Sequence, residues 1–204
     1  MAYNNRRSPQ SIPPVVLNLI IINAIVFLAQ LVFDSTWNLT GLLALYPFGS
    51  GLFEPYQLVT HMFVHGGWLH IFFNMYALWL FGSVLERVWG PKKFLIFYLI
   101  CGLAAGLAQS FLVGGFVPAV GASGAIMGLL AGFAYTFPNT EFFMFPLPFP
   151  IKAKYMAAIY AAIDLFGGFQ PSGDSIAHFA HLGGLAMGLI LVIIWNKTDK
   201  KTFY

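Results

Sequence analysis

"VGASGAIMGLLAGF", residues 120–133, decides how this chain folds. The run is apolar enough for a membrane, yet it opens with Gly-Ala-Ser-Gly and carries one hydroxyl, Ser123. Gly124, Gly128 and Gly132 recur every four residues, so a helix here presents one bare stripe. The same spacing returns at Gly184 and Gly188 in "HFAHLGGLAMG", residues 178–188. Small residues at that interval let two membrane helices approach backbone to backbone. His181 lies one turn before Gly184 on the same face. Packing stripe to stripe therefore brings His181 toward Ser123 at a shared end.

Composition places both stripes in a bilayer. The 204 residues are 59% hydrophobic and 8% charged. A soluble domain averages about 25% charged residues. Seventeen charges, ten basic and seven acidic, cannot solvate a globule of this size, so the chain reads as one integral membrane domain. The net charge of +3 does not point to nucleic acid, because no basic cluster exceeds two adjacent residues. A single cysteine, Cys101, excludes an internal disulfide and paired-thiol metal ligation. The basic pair Arg6–Arg7 precedes an apolar run too long for a signal core and without a clear cleavage site, so Val15–Phe33 reads as a retained span.

Six spans are expected, at about 15–33, 68–85, 94–113, 123–137, 154–169 and 176–195. The fifth is the weakest, being short and containing Asp164. With a cytoplasmic N-terminus, all ten basic residues fall on one side, at positions 6, 7, 87, 92, 93, 152, 154, 197, 200 and 201. The outer segments then hold only the acids Asp34, Glu54, Asp164 and Asp174. The positive-inside rule asks for this bias and puts both termini in the cytoplasm. The expected fold class is all-α, a polytopic six-span bundle. Its parts are a tail at 1–13, the membrane domain at 14–196 and a tail at 197–204. The link from span one to span two contains "LTGLLALYPFGSGLF" (39–53) and reads as short helical pieces lying in the outer interface. The segment "FFMFPLPFP" (142–150) reads as a proline-rich inner loop.

Polar groups within spans are functional candidates by default. "HMFVHGGWLHIFFNM" (61–75) holds His61, His65, His70 and Asn74, and with His178 and His181 all five histidines fall near the outer ends of spans. A serine hydroxyl needs a base to become a nucleophile, and His181 Nε2 is the candidate. No acid lies near His181 in sequence, Asp174 being seven residues away on a loop, so the reading is a Ser–His dyad whose imidazole is held by packing. His70 and Asn74 share one face of span two, and both donate hydrogen bonds suited to an oxyanion. The Ser123 backbone N–H, at a helix N-terminus, is a further donor.

In that order, "HGGWLHIFFNM", "GASGAIMG" and "AHLGGLAMG" resemble the rhomboid intramembrane serine proteases of the bacterial six-span type, over about 14–195. The resemblance implies Ser123 as nucleophile, His181 as general base, and His70 with Asn74 in the oxyanion hole. It implies cleavage of transmembrane protein substrates near their outer ends, in a cavity opening to the periplasmic side of a bacterial cell membrane. Residues 166–175 would act as gate and cap. Gly121, Gly124, Gly128, Gly184 and Gly188 are the packing positions at the site. Met127 stands where many rhomboids place an aromatic residue on the base, and Tyr56–Gln57 where many have Trp-Arg. Glu54 and His65 match positions that anchor the first loop, and His178 reads as a residue that packs or meets water rather than reacts. No cofactor or metal is implied, and the oligomeric state is open. The rival classes are a histidine-rich haem or metal carrier, which lacks HExxH, and an inactive rhomboid-like chaperone, which would lack the serine or the histidine.

Overall fold

A computed structural model of the chain describes residues 11–143, 149–169 and 177–198. Helix α1 (Pro14–Trp37) starts with Pro14 at its first position, where the missing N–H costs nothing. It ends at Asn38, the only non-glycine residue with positive φ among those described. Residues 38–67 are built from short pieces, α2 (Leu39–Leu43), α3 (Gln57–Thr60) and two single 3₁₀ turns. Helix α4 (Trp68–Ala77) continues through a π turn at Leu78–Gly82 into α5 (Ser83–Trp89). Then come α6 (Pro91–Leu112), α7 (Ser123–Thr136), α8 (Ala153–Gly168) and α9 (His178–Thr198).

Among the described residues, four helices are long and apolar enough to cross a membrane: Pro14–Trp37, Trp68–Trp89, Pro91–Leu112 and His178–Thr198. Their outward faces stay apolar. On α1, Ile25, Leu28 and Val32 are each more than half exposed, as lipid-facing side chains are. The buried residues of α1 (Val16, Leu19, Asn23, Phe27 and Gln30) fall on one stripe at helical spacing.

Helix α7 is the centre of the bundle, with ten of its 14 residues buried. Its stripe meets that of α9. A Cβ at Gly184 would overlap the Gly124 carbonyl oxygen, and one at Gly188 would lie 2.5 Å from the Gly128 oxygen. Only glycine permits that approach, and it sets the depth at which the two helices register. Phe94, Phe97, Tyr98 and Cys101 of α6 pack against the pair and are fully buried. At the opposite end of the bundle from Ser123, the Glu86 carboxylate of α5 accepts the Val15 and Val16 N–H groups at 3.0 and 2.8 Å. It neutralises two of the donors a helix N-terminus leaves unpaired.

One element departs from the all-α expectation. Glu141–Phe143 and Pro150–Lys152 pair as an antiparallel ribbon, with Glu141 opposite Lys152. Phe142 sets one ring against Phe81 and Phe133, at centroid distances of 5.6 and 5.4 Å. That aromatic contact holds extended backbone where the sequence showed only a proline-rich loop, whose residues 144–148 lie outside those described.

Candidate active site

The turn into α7 is shaped by Gly121. Its φ of 113° is strained for any residue with a side chain, and a Cβ there would lie 2.7 Å from His70 Nε2. The Gly121 N–H donates to the His61 carbonyl at 2.8 Å, and Leu45 bridges Ala119. The 113–122 connection is thus tied to residues 38–67, and α7 starts at Ser123 behind Ala122, an N-cap with no side-chain capping bond.

The Ser123 hydroxyl lies 2.8 Å from His181 Nε2. The glycine contacts produce the meeting: they lock α9 against α7 from the residue after Ser123 and one turn after His181. His181 is partly buried, its side chain 14% exposed. Gly124, Gly128, Gly184 and Gly188 fall at the α7–α9 contact. Met127 is partly buried against the main core.

Helix α4 brings His70 and Asn74 to the same end. His70 Nδ1 accepts the Gly66 N–H at 3.2 Å, which puts the ring proton on Nε2, the nitrogen facing Gly121. His70 also lies within electrostatic reach of His181. Asn74 is buried, and its Nδ2 donates to the His70 carbonyl at 2.8 Å. Its Oδ1 meets no partner among the described residues.

The expectation of an imidazole held by packing alone is corrected. Asp164 of α8 is 3% exposed, and its Oδ1 lies 3.0 Å from His181 Nδ1 and 2.9 Å from His178 Nδ1. It is neither an outer-loop charge nor remote from the histidines. Gly167, one turn on, leaves the space that the His178 ring fills, since a Cβ there would overlap it. Nothing next to His181 in the chain signals this carboxylate, because the contact spans 17 positions and a helix boundary. The available signal was an ionisable residue inside an otherwise apolar span. His178 is therefore more than a packing residue.

The first-loop anchors also differ from expectation. Glu54 is exposed, and what it contributes is its backbone. Gln57, 2% exposed, does the anchoring: its Oε1 accepts the Tyr46 and Glu54 N–H groups and its Nε2 donates to the Leu52 carbonyl. At His65 the backbone is held instead of the ring, with Gln30 of α1 bonding both its N–H and its carbonyl at 3.0 and 3.1 Å. The His65 ring meets no hydrogen-bond partner among the described residues and packs edge-on against His70. Burial pushes both loop histidines down to about 4, His61 despite a bond to the Gln57 carbonyl and His65 with added repulsion from His70. The expected gate and cap lies mostly outside the described residues, although Phe166 and Phe169 at its start are about three-quarters exposed.

The chain is 30% identical over 151 residues to the rhomboid protease GlpG of Haemophilus influenzae, covering 73% of this chain and 74% of that one. It is 35% identical over 136 residues to the rhomboid protease GluP of Bacillus subtilis, covering 66% of this chain and 25% of that one. It is 32% identical over 142 residues to the mitochondrial rhomboid protein 1 of Saccharomyces cerevisiae, covering 66% of this chain. The matched region spans only 40% of the yeast protein's length. The sequence model of the rhomboid domain matches residues 52–197, from before α3 to the end of α9, and the chain belongs to the rhomboid family.

Proposed function

We propose that this protein is an intramembrane serine endopeptidase that hydrolyses peptide bonds in or near the transmembrane segments of other membrane proteins. The observation that carries the reading is the 2.8 Å contact between Ser123 Oγ and His181 Nε2, at the N-terminus of a helix pinned by glycine to its neighbour. In this reading Ser123 Oγ attacks the carbonyl carbon of the scissile bond while its proton passes to His181 Nε2. The carbonyl oxygen gains negative charge and is met by the Ser123 backbone N–H, His70 Nε2–H and the Asn74 amide. His181 then protonates the amine as the C–N bond breaks, and water, activated by the same imidazole, releases the acyl group from Ser123.

The lengths of the helices support a site below the membrane surface. Helix α7 is about 21 Å long, against roughly 30 Å of hydrocarbon. Surrounded by other helices, it need not reach both interfaces, which supports a Ser123 placed within the bilayer. We read the domain at 14–196 as six spans: α1, α4–α5, α6, α7, α8 and α9. Residues 38–67 then lie at the outer interface, both tails are cytoplasmic, and the site opens to the periplasmic side of a bacterial cell membrane. The basic residues at 87, 92, 93, 152, 154 and 197 support that orientation.

The test is labelling with a fluorophosphonate probe in detergent and in liposomes. Labelling that disappears in Ser123→Ala and His181→Ala, with both variants folded, is the expected result. Equal labelling of parent and Ser123→Ala would overturn the reading.

A further inference from the structure

We propose that Asp164 is a positioning residue for the Ser123–His181 pair, holding the His181 imidazole by its Nδ1 proton so that Nε2 faces the hydroxyl as an acceptor. The inference rests on the protease reading and adds a third group to it, from a different helix.

The two ring nitrogens of a neutral imidazole cannot both accept. If the proton sits on Nε2, the ring offers Ser123 a donor, and the hydroxyl proton has nowhere to go. A carboxylate accepts only, so at 3.0 Å Asp164 Oδ1 fixes the proton on Nδ1. The same oxygen lies 2.9 Å from His178 Nδ1. His178 and His181 are three residues apart on one face of α9, so the carboxylate is gripped by two N–H groups from a single rigid element. This double grip orients Asp164, and Asp164 in turn orients His181. Packing alone fixes the plane of a ring but not its tautomer.

The energetics argue against a merely structural contact. Burying a carboxylate to 3% exposure costs several kcal/mol, and apolar replacements of such groups are often neutral or stabilising. A charge at this depth beside a candidate base is better explained by the imidazolium that forms during proton transfer, which an adjacent carboxylate stabilises. The groups facing His181 from the packed helices are Ser123 on α7, Asp164 on α8 and His178 on its own helix. Gln109 on α6 is occupied with the Ala180 N–H, and His70 on α4 lies within electrostatic reach.

The experiment uses the full chain in detergent and begins with the parent. Imidazole ¹⁵N spectra, assigned with His181→Ala, should show His181 protonated on Nδ1. A parent with the proton on Nε2 overturns the inference without any Asp164 variant. Next, Asp164→Asn keeps the shape, removes the charge and offers an N–H to Nδ1. Its kcat should fall on the order of 10²–10⁴-fold with KM within about threefold. Asp164→Glu should recover at least tenfold of that loss. A kcat within about tenfold of the parent, or a loss confined to KM, overturns the proposal. Fluorophosphonate labelling of the parent at Ser123 is run alongside. If that fails, the protease reading fails; if it succeeds while Asp164→Asn behaves as the parent, only the role of Asp164 is lost.

Discussion

Two regions of this molecule are held in place by opposite means. The α7–α9 contact is made of backbone: Gly184 lies over the Gly124 carbonyl and Gly188 over that of Gly128, with no side chain between. Residues 38–67 are held by side chains reaching backbone. Gln30 bonds both sides of His65, Gln57 gathers Tyr46, Leu52 and Glu54, and Asp34 takes the Thr40 N–H and hydroxyl at 2.6 Å each. Backbone packing tolerates no added atom and fixes distances closely, which suits the helices carrying Ser123 and His181. Amide hydrogen bonds can be broken one at a time, which suits a segment that sits over the site and shapes it.

The sharpest way to test the contrast is to remove the reacting atoms on the rigid side. Ser123→Ala and His181→Ala should each take peptide cleavage to background while the thermal midpoint stays within a few degrees, read by cleavage of a reconstituted transmembrane substrate. Asn74→Ala, removing one oxyanion donor, should lower kcat by about 10²–10³-fold, measured in the same assay. Gly184→Val probes the interface itself. An isopropyl group forced against the Gly124 carbonyl should destabilise the fold by roughly 3 kcal/mol, with labelling lost in step with unfolding.

Acid acts on the loop side. His61 and His65 titrate near 4 when folded, against 6.5 unfolded, so the unfolded chain binds more protons between those values. Their contribution to stability is intact above about pH 6.5 and is lost as pH falls toward 4. For His61 the loss approaches roughly 3 kcal/mol at full protonation. Thermal midpoints from pH 7.5 to 4.5 should drop, with a shallower slope in His61→Gln. The smallest effect is expected from Gln57→Ala, about 2 kcal/mol, because three backbone groups lose their partner yet lie near enough to water to find another. Its Ser123 labelling should stay within threefold of the parent. A Gln57→Ala variant more damaging than Gly184→Val would reverse the comparison.

Much of the site was legible because it is local or periodic. The four-residue glycine spacing marks both packing helices and, with His181 one turn before Gly184, brings that histidine toward Ser123. His70 and Asn74 were legible as neighbours on one helical face. What escaped were groups whose contacts carry no local or periodic mark in the sequence. In sequence Asp164 is one more acid at the outer side, Gln57 is a departure from an expected pair, and the anchoring expected of Glu54 and His65 is performed by Gln57 and Gln30.

The sequence by itself determined that the chain lives in a membrane and that its helices carry two matching bare stripes. Both follow from composition and a period of four, which need no partner to be read. Only the tertiary structure decided which carboxylate meets which imidazole and which amide holds the loop. Those contacts join positions 14 to 35 residues apart, and their geometry is set by where whole helices come to rest against one another.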